Sequence, residues 1–147
     1  MTFLRIIEAV HGHLGILATV ALLHPALRLR KGRPMSRGTR WSVLLTTAAT
    51  VLTFGIGLAI YPDYRALVKP GLFELSPATG LMFETKEHLA FAVVCLAVGA
   101  GVCAFAAPKG APSLRRAAAW AYAGAGLLCL LVVILGTYVA SRGSFAG

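Results

Sequence analysis

The residues of this sequence that are able to do chemistry are few. There are four histidines, His11, His13, His24 and His88, and five acids, of which Glu8, Glu84 and Glu87 stand closest to them. The runs around them are apolar, and an ionisable group in such a run is costly unless it has a partner or a task. At 100° per residue, Glu8 and His11 lie about 60° apart on a helix, Glu84 and His88 about 40°, and His11 and His13 about 160°. Two carboxylate–imidazole pairs can therefore each share one helix face, whereas only one of His11 and His13 can turn toward a bundle interior. The stripe Gly12, Gly15, Ala18 and Thr19 favours His11, because close helix packing needs small residues.

One imidazole from each of two helices at similar depth is the arrangement that clamps a b-type haem. His11 and His88 are the expected axial ligands, with Gly12 or Gly15 letting the macrocycle approach the backbone, and a nearby carboxylate orienting a ligand imidazole through its second nitrogen. The same residues admit a single Zn²⁺, Cu²⁺ or Fe²⁺ held by His11, His88 and a carboxylate, with Glu8, Glu84, Glu87 and His13 as further ligands or supports. They also admit an interhelical hydrogen-bond and ion-pair network with no cofactor. Glu8-x-x-His11 is half of the motif of carboxylate-bridged metal bundles, but the second and fourth apolar runs supply no acid or imidazole to complete it.

These groups must be positioned by helices in a bilayer. The 147 residues are 58% hydrophobic and 13% charged, with mean hydropathy +0.78, against a charged fraction of about 25% in soluble domains. Apolar runs at 3–27, 41–60, 89–107 and 117–140 each approach the ~20 residues needed to cross a hydrocarbon core. The expectation is one all-α domain over 1–147, an integral membrane antiparallel four-helix bundle. A soluble enzyme, a multidomain receptor and a disulfide-built secreted module are excluded. Trp41, Tyr61-Pro62, Pro108, Trp120 and Tyr138 mark the ends of the spans, and Pro25 marks the end of the first. The first run is read as a retained helix, because its basic cluster follows the apolar stretch.

The net charge of +9 is unevenly spread. Arg28, Arg30, Lys31, Arg33, Arg37 and Arg40 follow the first span, and Lys109, Arg115 and Arg116 follow the third, with no acid among them. On the other side Arg5, Arg65, Lys69, Lys86 and Arg142 balance Glu8, Asp63, Glu74, Glu84 and Glu87. The positive-inside rule then puts the basic connections in the cytoplasm of a bacterium-like cell, both termini outside, and His11, His13 and His88 in the outer half of an inner-membrane protein. Anionic lipid headgroups account for the basic loops, so no nucleic-acid partner is expected. The long outer connection, 61–88, is broken by Pro70-Gly71 and Ser76-Pro77 and is expected to lie in the interface as a loop without a core of its own.

The placement of His11–Ala18, and of Tyr61–Ala90 with its His88-Leu89-Ala90, within four spans resembles the small membrane b-type cytochromes and the haem-associated four-helix proteins of respiratory-oxidase assembly. That resemblance implies haem b, exchange of electrons with a membrane quinol or an outer redox partner, and membership of a membrane complex or homo-oligomer. It departs from the two-haem members, because His24 has no histidine partner on the inner side, so at most one haem is expected. The other expectation is a non-catalytic accessory or assembly subunit of a larger membrane complex.

Overall fold

The computed structural model describes residues 3–145. It contains α1 (Phe3–Leu29), α2 (Arg37–Leu67), a short α3 (Lys69–Leu75), α4 (Pro77–Ala106) and α5 (Pro112–Arg142). The four long helices are each long and apolar enough to cross a membrane. At 1.5 Å per residue they measure about 40–47 Å, more than the ~30 Å of a hydrocarbon core, so they extend beyond it at their ends. The helices consequently outrun the apolar runs: α2 continues to Leu67, α4 starts at Pro77 and α5 at Pro112. Hydropathy marks the lipid-facing stretch, whereas backbone hydrogen bonding carries on outside it. Pro25 and Pro62 lie inside α1 and α2 rather than ending them. Proline removes one i→i−4 bond, a loss that transmembrane helices tolerate when neighbours hold both flanks.

α1 packs against α2 and α5, and α4 against α5 and α2, so α1 and α4 stand on a diagonal of the bundle. Contacts at the two ends establish the antiparallel order. At the end bearing the basic loops, His24 Nδ1 meets Ser42 Oγ at 2.7 Å and Arg115 Nε donates to Gly32 O at 2.8 Å. At the opposite, terminal end the Phe145 N–H donates to Glu8 Oε2 at 3.2 Å. Ser36 starts α2 by accepting from the Thr39 N–H.

The basic half is closely packed. Leu22, Val43, Ala97, Tyr122 and Ala125 are fully buried there, joined by Ala100, Ala104 and Ala118. The expected rows of small residues supply much of this contact: Ala97 and Gly101 on α4, Ala125 on α5, and Thr46, Thr50 and Thr53 on α2 are all buried. The threonine hydroxyls return to backbone carbonyls, Thr50 to Thr46 O at 2.9 Å and Thr53 to Ala49 O at 2.8 Å, while Thr46 reaches across to Ala21 O at 3.3 Å. Thr47 Oγ1 and Tyr122 OH share a hydrogen bond of 2.7 Å beside Gly101.

Arg115, 2% exposed, donates to Gly32 O, to Pro108 O at 2.7 Å and to Lys109 O at 2.8 Å. Gly32 is required there twice over. Its φ of +66° suits glycine, and a Cβ would stand 2.7 Å from Pro112 O.

The terminal end corrects the expectation for 61–88. That stretch is helical for most of its length instead of a loop, and, as expected, it has no core by itself: Tyr64, Val68, Leu72 and Phe83 form a small core only together with Val139 of α5. Tyr64 stacks on Phe83 with ring centres 5.0 Å apart, and Phe145 meets Tyr64 edge-on at 5.4 Å. The Tyr64 hydroxyl donates to Gly143 O at 2.9 Å, and Lys69 pairs with Glu84 at 2.8 Å. The prolines start helices here instead of breaking them, since Pro70 and Pro77 occupy first-turn positions where no N–H is needed.

Candidate functional site: a cavity between the two cores

Between the closely packed half and the aromatic core lies a cavity of about 690 Å³, walled by all four long helices. This is within the ~300–1,000 Å³ common for ligand pockets. Ile16 on α1, Leu58 on α2 and Phe91 on α4 line it while remaining 52%, 48% and 54% exposed. The cavity therefore opens sideways, through the flank of the bundle. Phe54 and Phe91, edge-on at 4.8 Å, bridge α2 and α4 beside the opening.

His11 is the best-defined polar group in the wall. Its Nδ1 lies 3.0 Å from Thr53 O. A carbonyl only accepts, so Nδ1 carries the proton and Nε2 of the neutral ring keeps its lone pair. The ring lies directly over Gly57, where a Cβ would come within 2.7 Å of Cε1 and 3.2 Å of Nε2. Glycine at this position is what lets the imidazole settle against the α2 backbone. Gly12 and Gly15 also line the cavity; Gly15 packs against Val133, whereas Gly12 has open space where its Cβ would be.

The second expected ligand is placed elsewhere. His88 is exposed, its Nδ1 donates to Glu84 O one turn below at 2.7 Å, and it is not part of the cavity wall. His11 and His88 are not brought together. His88 stands nine residues before the buried Ala97, about 180° around the helix, so it faces away from the bundle. His13 is likewise exposed at the cavity's edge and donates to Ala9 O of its own helix at 2.7 Å. Glu84 is paired with Lys69, while Glu8 and Glu87 line the cavity. Among the described residues, no three of His, Cys, Asp and Glu converge as a metal site would need.

What residue type alone did not single out is Lys86. It stands eleven residues before Ala97, about 20° from it around the helix, and so falls on the bundle face. Its side chain lines the cavity, with Nζ 4.5 Å from the Phe83 ring centre. Among the described residues, no carboxylate lies within ion-pair distance of this ammonium. The site thus brings together the His11 imidazole and Arg5 and Glu8 from α1 with Lys86 and Glu87 from α4, on diagonal helices around a chamber whose remaining wall is largely apolar. Such a chamber is suited to a lipophilic molecule with a polar, hydrogen-bonding head. No protein-family model matches the chain, no curated protein matches its sequence, and no solved structure matches it.

Proposed function

We propose that this protein is an electron-transfer component of a bacterial inner membrane that holds one lipophilic redox molecule, haem b or a quinol, against His11 in the outer half of its bundle. The observation that carries the reading is the fixed imidazole: His11 Nδ1 is tied to Thr53 O, and the ring lines a chamber that opens sideways.

For haem, His11 Nε2 would supply one axial ligand, and Gly12, with open space at its Cβ position, would leave the macrocycle room beside α1. Since His88 faces away, His11 would be the one imidazole of this chain available to hold a haem, and the low-spin signature of two imidazoles would not be expected.

The test is to purify the protein in mild detergent, record its spectrum and extract it with organic solvent. Haem or an isoprenoid quinone should co-purify with the wild-type chain and be depleted by His11→Ala. If neither co-purifies, and neither binds on addition, the reading is overturned. Orientation is tested by thiol labelling after replacement of the native cysteines. Lys31→Cys should label only from the cytoplasm and Glu74→Cys only from outside, and the reverse pattern would invert the assignment.

A further inference from the structure

We infer that the cavity is a quinol site, selective for the reduced, hydroxyl-bearing head group over the oxidised quinone, with His11 Nε2 as acceptor and Lys86 Nζ as donor. This rests on the reading that the chamber holds a lipophilic redox molecule, and it names which one.

Selectivity follows from the tautomer. Because Thr53 O can only accept, Nδ1 carries the proton of the neutral His11 ring, and Nε2 of that ring can only accept. A quinol hydroxyl donates to such an atom; a quinone carbonyl has nothing to donate and would face it lone pair to lone pair.

Lys86 supplies the complementary half. An ammonium has three donors and no acceptor capacity, and this one sits against the Phe83 ring with no carboxylate in ion-pair distance among the described residues. It can donate to the second oxygen of either redox form, so it contributes affinity and not redox preference.

Several neighbouring polar groups already have partners, while Arg5 and Tyr61 also line the chamber. Glu8 Oε2 accepts the Phe145 N–H, Tyr64 OH donates to Gly143 O, and the Thr50 and Thr53 hydroxyls donate to carbonyls of their own helix. Glu87, beside Lys86, and Arg5 on α1 also line the chamber, so with Glu8 the wall carries two cations and two acids among the described residues. His11 and Lys86 come from diagonal helices, so a flat ring bearing an oxygen at each end is met from both sides.

The side opening at Ile16, Leu58 and Phe91 supplies what the tail of such a molecule needs. The head group enters from the bilayer while the isoprenoid chain stays among lipid tails.

The experiment is equilibrium binding to the protein in phospholipid nanodiscs, using a decyl-tailed benzoquinol kept reduced, the matching benzoquinone, and haem b as three separate probes. The quinol is expected to bind about tenfold more tightly than the quinone, the worth of one hydrogen bond. His11→Phe should remove that preference, while Lys86→Met should weaken both forms by a similar factor. If His11→Phe fails to fold, Gly57→Ala displaces the ring without removing it and should abolish the preference in the same way.

Equal or tighter binding of the quinone, or a preference that survives the His11 and Gly57 changes, overturns the inference. Binding of haem without either quinone form overturns it too, yet leaves the proposed function standing. Binding of none of the three overturns both.

Discussion

The two halves of this bundle follow opposite rules. Toward the basic loops, Ala97 and Ala125 are fully buried, the backbones approach closely, and polar side chains such as Thr47, Tyr122 and Arg115 have partners within the protein. Toward the chain termini, the helices part around a chamber capped by Tyr64, Phe83 and Phe145, and the His11 and Lys86 side chains line it. Lipid tails are as apolar as leucine, so helix association in a bilayer depends on packing and interhelical hydrogen bonds. A bundle that gives up contacts around a cavity must gather them elsewhere. The difference teaches that the alanine-rich half stabilises the fold, while the chamber half is free to be shaped for a ligand.

The sharpest way to break that contrast is to add the same side chain to each half. Ala97→Leu forces extra atoms into a fully buried position and should cost about 3 kcal/mol, read as a lowered midpoint in chemical denaturation followed by helical circular dichroism. Ala90→Leu projects into the chamber and should change stability by less than about 0.5 kcal/mol while weakening ligand binding at least tenfold. Equal destabilisation by the two would show that the chamber half is as tightly committed to packing as its counterpart.

Next in size is Arg115→Lys, which keeps the charge but loses the fork that reaches three carbonyls at 2.7–2.8 Å. It should cost about 2 kcal/mol by the same measurement.

Gly57→Ala should act on function more than on fold. Its Cβ would drive into His11 Cε1, so ligand affinity should fall about tenfold, with a denaturation midpoint near that of the wild type. The smallest effect is expected from Tyr64→Phe, which keeps the stack on Phe83 and loses only the bond to Gly143 O, for about 1 kcal/mol.

Much of the bundle was readable from residue type and spacing. The apolar runs located four long helices, and the small-residue stripes pointed to Ala18, Thr46, Thr50, Thr53, Ala97 and Ala125 as buried positions. His11, seven residues before Ala18 and about 20° from it around the helix, followed from the same stripe and lines the chamber. Residue type and depth point to His88 but say nothing of its angle from Ala97 around the helix. Applied to α4, that angle selects Lys86 and turns His88 outward.

The helical continuation through Pro62 and the aromatic core were not legible. Hydropathy falls where the lipid ends, while the hydrogen-bonded backbone does not stop there. Tyr64, Phe83 and Phe145 are joined by tertiary contacts over long stretches of chain, with no periodicity to announce them.

The hydrogen bond from Arg115 to Gly32 O carries a consequence for the order of assembly. The bonds from the same guanidinium to Pro108 O and Lys109 O lie within the α4–α5 turn and form once that hairpin exists, whereas Gly32 belongs to the hairpin made first. Until α5 is in place, the Gly32 carbonyl has only water as a partner and the α5-facing side of α1 is uncovered. The first two helices become part of a finished protein only when the last helix arrives. At the opposite end the Phe145 N–H reaches Glu8 and makes a second late connection to the same first helix. A chain that stops before α5 lacks both fastenings and leaves that side of α1 bare.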